Sequence, residues 1–167
     1  VGMERLGKKE SCLYLMNHSG FLDLEIAVSM VYPCPVNIVS TLDSFIGKGW
    51  LMRQIGCIPT QKFVPDLMLI RDMLYAVREK KNSVLMYPEA SYSFDGCATP
   101  LPKRLGTLLK KLDVPVVTVI TEGAFARDPL YNGLQLRKVN VSAKVTCLFS
   151  KDDLKNLSAE ELDRQLN

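Results

Sequence analysis

Apolar residues arrive in short runs broken by polar, glycine and proline positions, and their spacing switches between strand and helix periods. SCLYLM (11–16) is an apolar run ending in Asn-His-Ser-Gly, the pattern of a buried strand entering a loop. LDLEIAVSMVY (22–32) predicts a helix stopped by Pro33. PVNIVST (35–41) reads as a second strand. DSFIGKGWLMRQIG (43–56) reads as a helix weakened by Gly47 and Gly49, and CIP (57–59) as a short strand or turn. The clearest helix is PDLMLIRDMLYAVREK (65–80), where Leu67, Ile70, Met73, Leu74 and Val77 recur at helical spacing. Pro65 and Asp66 suit its first turn, and Arg78, Lys80 and Lys81 its last.

SVLMYPEA (83–90) predicts a strand running into a loop, followed by a helix over 103–112. VPVVTVIT (114–121) is nearly all apolar, as expected for a strand covered on both faces. RKVNVSAKVTCLF (137–149) alternates instead, putting Val139, Val141, Ala143, Val145, Cys147 and Phe149 on one face of an edge or half-exposed strand. Strands alternating with helices imply an α/β fold, a single domain whose central sheet is largely parallel and flanked by helices. At 167 residues the chain suits one domain. It opens close to its first strand and stops inside LSAEELDRQLN, where Ser158 and Glu161 have capping-box spacing. Residues 1–167 are therefore expected to be one domain lacking N-terminal and C-terminal segments.

Composition narrows the class. Hydrophobic residues are 47% and charged residues 23%, enough apolar material for a core, which excludes a disordered chain. The net charge of +3 tolerates anionic lipid or phosphate-bearing ligands. With no basic stripe interleaved with aromatics, nucleic acid is excluded as a partner. The five cysteines are odd in number and form no C-x-x-C, which predicts reduced, buried thiols in a cytosolic setting. One histidine and scattered cysteines supply no zinc ligand set, so no metal is expected. There is no signal-peptide pattern, and no apolar run approaches the ~20 residues of a membrane span.

The candidate chemistry lies at the ends of strands, where sites of parallel α/β sheets form. Asn17-His18 follows the first strand and Pro88-Glu89 the strand over 83–90. His18 and Asp23 are five residues apart. Five helical steps turn about 500°, so the two meet only if His18 is in the loop and Asp23 in the first helical turn. A carboxylate that holds one imidazole nitrogen leaves the other free to take a proton from a hydroxyl. Taken alone, the pair reads first as a structural loop histidine and a helix-dipole partner, and only second as a catalytic pair.

NHSGFLD (17–23) resembles the N-H-x-x-x-x-D motif of the glycerolipid acyltransferases, typified by 1-acyl-glycerol-3-phosphate acyltransferase. Three further stretches resemble that family's later blocks in order: GCIPTQKF (56–63), YPEASYS (87–93) and VPVVTVIT (114–121). The resemblance implies the glycerol-3-phosphate (1)-acyltransferase-like fold. It implies that His18 deprotonates an acceptor hydroxyl and that Asp23 orients it. The hydroxyl then attacks the thioester of acyl-CoA or an acyl carrier protein, with no cofactor beyond that donor. Loop N–H groups would steady the oxyanion. Implied for substrate binding are Asn17, Lys62, Glu89, Ser91 and Tyr92, the last group contacting a lysophospholipid acceptor. The implied setting is peripheral, at the cytoplasmic face of a membrane, through apolar patches or an N-terminal helix.

The match departs from the pattern in two places. Lys62 stands where the second block ends in arginine, and lysine lacks the bidentate fork. YPEASYS replaces Phe-Pro-Glu-Gly-Thr-Arg-Ser, so Tyr92 holds the arginine position and Ala90-Ser91 the glycine-threonine. Lys62, Lys103, Arg104 and Lys48 are candidate replacements for phosphate contact, although Lys103, Arg104, Lys110 and Lys111 read first as solvated helix charge. Trp50, Leu51 and Met52 read first as core, and second as a membrane-facing or chain-lining patch. The alternatives are a glycerol-3-phosphate or non-phosphate acceptor, thioester hydrolysis, and a non-catalytic lipid-binding domain.

Overall fold

The computed structural model describes residues 10–20, 22–61, 66–127 and 138–167. A six-stranded sheet, in the order β3-β2-β4-β1-β5-β6, forms the centre. Its strands are β1 (Leu13–Met16), β2 (Val36–Thr41), β3 (Cys57–Thr60), β4 (Ser83–Met86), β5 (Val116–Glu122) and β6 (Ser142–Phe149). The first five run parallel and β6 is antiparallel to β5. Pro59 is tolerated in β3 because that strand is an edge.

The helices are α1 (Leu22–Val31), α2 (Gly49–Gln54), α3 (Leu67–Arg78), α4 (Leu105–Leu112), α5 (Ala124–Arg127), α6 (Lys151–Asn156) and α7 (Ala159–Leu166). Parallel crossovers are right-handed, so the direction of each step along the sheet decides which face its helix covers. The step from β1 to β2 runs one way. The steps from β3 to β4 and from β4 to β5 run the other. Accordingly Ala27 and Val31 of α1 pack on one face, with Tyr14, Met16, Leu85, Val117 and Val119. The opposite face takes Met73, Ala76 and Val77 of α3, Leu105, Leu109 and Leu112 of α4, Leu154 of α6 and Leu162 of α7. Leu13, Leu85, Leu109 and Leu162 are essentially without exposed surface. Each such leucine contributes about 1.5–3 kcal/mol through burial.

Three expectations change. The helix over 43–56 is broken: Leu42–Phe45 is a 3₁₀ turn, and α2 begins only at Gly49. Gly47 lies between them at φ +70, the left-handed region that ends a helix. In β6 the single apolar face is split. Thr118 pairs with Cys147 but Val119 pairs with Val145, so the ladder slips at a bulge. Ala143 and Val145 therefore join the α1 face, and Cys147 and Phe149 the α3–α4 face. Val139 and Val141 precede the strand. Finally, the five cysteines are free but are not all buried. Only Cys12 and Cys57 are buried, and Cys97 is exposed.

Candidate active site

Parallel strands end at one rim, and the neighbours β4, β1 and β5 bring three loops together there. The loop after β1 carries Asn17 to Gly20, the loop after β4 carries Tyr87 to Ser93, and Thr121 lies near the end of β5. Asp23, in the first turn of α1, has no exposed surface. Its Oδ2 lies 3.1 Å from Nδ1 of His18 and accepts the Gly20 N–H at 2.9 Å and the Ser19 N–H. Its Oδ1 accepts the Ser19 hydroxyl at 2.9 Å, with the Thr121 hydroxyl at 3.4 Å. Burial pushes the Asp23 carboxyl up, but the bonds from His18, Gly20 and Ser19 outweigh it and hold the group below its ordinary 3.8. An ionised Asp23 fixes the proton of His18 on Nδ1.

The backbone of His18 is anchored on both sides. Its N–H donates to Oε1 of Glu89 at 3.3 Å, and its C=O accepts the Ser93 N–H at 2.7 Å. The rings of Tyr87 and Tyr92 both lie 4.0 Å from the imidazole, at 18° and 36°. Two rings can approach that closely only from opposite faces, so His18 is sandwiched. The imidazole can then neither swing nor flip without displacing a tyrosine. Its side chain is 18% exposed, and Nε2 has no partner among the described residues. The Tyr87 hydroxyl is buried without a hydrogen-bond partner. Burial, then the charges of Asp23 and Tyr92, raise its pKa well above the ordinary tyrosine value.

His18 opens onto a cleft of about 880 Å³. Ile38, Val39, Leu69, Ile70, Met86 and Leu108 give it apolar walls, and Glu89, Ser91 and Tyr92 its polar side near the histidine. Lys103, Arg104 and Lys111 line it as well. The arrangement can lift a proton from a hydroxyl held against Nε2, beside space for an apolar chain. Among the described residues, no group of three or more His, Cys, Asp or Glu side chains could hold a metal ion.

The structure thus joins His18, Asp23, Glu89, Ser91 and Tyr92 at one rim. Asn17 is near but differently occupied: its Oδ1 accepts the Thr121 N–H at 2.8 Å, and its Nδ2 donates to the Thr121 carbonyl at 3.1 Å. It ties β1 to β5 and is not on the cleft wall. Glu89 is likewise engaged, since Oε2 accepts the N–H and hydroxyl of Thr99. Lys62 lies outside the described residues. Lys48 is not on the cleft wall. Lys110 is exposed and not on the cleft wall, and its ammonium donates to the carbonyls of Leu154 and Leu157. The expected burial of the Trp50 cluster is overturned, because Trp50 is 72% and Leu51 43% exposed on the short α2, which covers no core. Sequence reasoning missed Ser19, Tyr87 and Thr121. Ser19 was signalled by its place beside His18, and Thr121 by closing the fourth block.

The α/β domain thus sets a buried carboxylate against a histidine at the mouth of an amphipathic cleft. The chain belongs to the acyltransferase family, whose pattern it matches over residues 1–122. It is 30% identical over 128 residues to the chloroplastic 1-acyl-sn-glycerol-3-phosphate acyltransferase BAT2 of Brassica napus, covering 73% of this chain and 36% of that protein. It is 28% identical over 128 residues to the chloroplastic 1-acyl-sn-glycerol-3-phosphate acyltransferase LPAT1 of Arabidopsis thaliana, covering 73% and 35%. The chain thus spans about a third of the length of these curated relatives. The fold matches the crystal structure of the 1-acyl-sn-glycerophosphate acyltransferase PlsC of Thermotoga maritima, with TM-score 0.72 and 20% identity over 99% of this chain and 66% of that one.

Proposed function

We propose that this protein moves a fatty acyl group from a thioester to a hydroxyl of a lysophospholipid, with 1-acyl-glycerol-3-phosphate as the leading acceptor. The observation that carries the reading is the buried Asp23 holding Nδ1 of His18, a histidine that lines an amphipathic cleft. Nε2 takes the acceptor's proton as its oxygen attacks the thioester carbonyl. The tetrahedral intermediate collapses, the C–S bond breaks, and the imidazolium returns the proton to the departing thiolate. Asp23 stabilises the imidazolium between these steps. The thioester supplies the driving force and His18 the proton transfers, so the scheme uses no cofactor beyond the donor, acyl-CoA or acyl carrier protein. The named relatives of the family support the acceptor class.

A lipid acceptor is held in a membrane, and the proposal includes peripheral attachment there, at the cytoplasmic face. Ile46 (78% exposed), Trp50 and Ile55 stand out from the 3₁₀ turn and α2. Thr41 and Ser44 of the same stretch line the cleft. No described helix is long and apolar enough to cross a membrane. Mass spectrometry of the products tests the reading. A diacyl lipid formed from acyl thioester and lysophosphatidic acid supports it. Free fatty acid alone would mark a thioesterase, and no product from a folded, lipid-binding protein a non-catalytic domain.

A further inference from the structure

Three cations on the cleft wall are left without a carboxylate. Lys103, Arg104 and Lys111 all line the cavity that His18 faces. No described carboxylate lies within 4.0 Å of any of their charged groups, whereas Lys110, on the same helix, is spent on backbone carbonyls. Their placement is held from outside. Asp163 of α7 accepts the backbone N–H groups of Arg104 (3.1 Å) and Gly106 (2.6 Å), so this acid serves the backbone at the start of α4. Gly106 allows that contact, because a Cβ there would stand 2.2 Å from the carbonyl oxygen of Ala159. Arg104 is fixed at φ +75, a left-handed conformation that costs a residue with a side chain about 1 kcal/mol or more. Lys111 is fixed through its carbonyl, which accepts from Arg78 at 3.2 Å. Glu89, the one acid among the described residues of the cleft wall, has both oxygens engaged by His18 and Thr99.

We propose that Lys103, Arg104 and Lys111 form a subsite for a phosphate monoester, the group that this cleft otherwise has no described side chain to neutralise. Arginine grips two phosphate oxygens, and flanking ammonium groups neutralise the second charge. Two ligands of the reaction can bring that group: the lysophosphatidic acid acceptor and the 3′-phosphate of coenzyme A. The inference deepens the proposed function and rests on it for the choice of ligands, so binding is measured without turnover.

The test is calorimetric titration of the full-length His18→Ala protein. One pair of probes is short-chain lysophosphatidic acid and the matching monoacylglycerol. The other is coenzyme A and its 3′-dephospho form. The expected result is tighter binding of the phosphate-bearing member in at least one pair. That preference should fall about tenfold or more when Lys103→Gln, Arg104→Gln and Lys111→Gln are added. The pair that loses its preference identifies the source of the phosphate. Lys144→Gln, an exposed change on β6 away from the cleft, should leave both preferences intact. If the triple variant fails to fold, Lys103→Gln/Lys111→Gln, both at exposed side chains, carries the test. A folded variant that keeps the full preference overturns the subsite, as does a parent protein with no preference in either pair. Intact phosphate preference in a protein without turnover would instead overturn the proposed reaction and leave the subsite standing.

Discussion

Oδ2 of Asp23 sits 3.1 Å from Nδ1 of His18 and is closed off from water. The same carboxylate gathers the N–H groups of Ser19 and Gly20, so it shapes the loop as well as the ring. Asp23→Asn turns an acceptor into a group that can donate to Nδ1, which favours the tautomer with its proton on Nε2. We expect kcat to fall by about 10³-fold with little change in KM. Steady-state kinetics of the purified variant, alongside a folded-state check, reads this directly. Asp23→Ala should in addition destabilise the protein by about 2–4 kcal/mol, because several donors lose their acceptor in a buried place.

Asp23 also predicts acid behaviour. Its folded-state carboxyl titrates below the ordinary 3.8. On acidification the unfolded chain therefore takes up the proton first. The stabilisation is fully present above about pH 4 and is lost as pH falls through the folded value. Urea unfolding between pH 6 and pH 3 should show this acid limb, and Asp23→Asn should flatten it.

The two tyrosines around His18 are expected to differ. Tyr87 buries a hydroxyl with no partner. Tyr87→Phe keeps the stacked ring and removes that cost, so it should be neutral or stabilising by about 1 kcal/mol in denaturant unfolding. Tyr92→Phe should keep most activity, because the ring is retained. Tyr92→Ala frees one face of the imidazole and should lower kcat about tenfold, as a misplaced base does. Equal activity of Tyr92→Ala and wild type would show that the ring does not position His18.

Trp50 is the single tryptophan of the chain and is 72% exposed. Its fluorescence therefore reports the 3₁₀–α2 surface alone. Mixing the protein with anionic phospholipid vesicles should shift its emission to shorter wavelength. Trp50→Ala should weaken vesicle binding about tenfold, the effect of one large apolar side chain. An emission maximum insensitive to vesicles that do bind the protein would move the docking surface elsewhere.

Much of this architecture was legible before any coordinates, because apolar runs and their periods are local signals. The alternation of strands and helices gave the largely parallel sheet, and the rule that sites form beyond strand ends put His18 and Glu89 on one rim. What stayed hidden depends on pairing. The bulge in β6 is set by its ladder to β5, and an unbroken alternation gives no sign of a slip between Val145 and Cys147. Trp50 reads as core in a long helix, and is exposed because Gly47 cuts that helix short. At the site, the spacing of His18 and Asp23 was visible. The sandwich of His18 between Tyr87 and Tyr92 was not, since it needs two loops from different strands to close on one ring. Asn17 beside the histidine looked like a ligand-binding amide, and its real partner Thr121 is 104 positions away.

The most direct measurement is thiol release from acyl thioester donors, with and without lysophosphatidic acid, for wild type and His18→Ala in parallel. Release should depend on the acceptor and fall by at least about 10³-fold in the variant, with lysophosphatidic acid binding retained. Acceptor-dependent release that continues at the wild-type rate in a folded His18→Ala protein would contradict the role of His18.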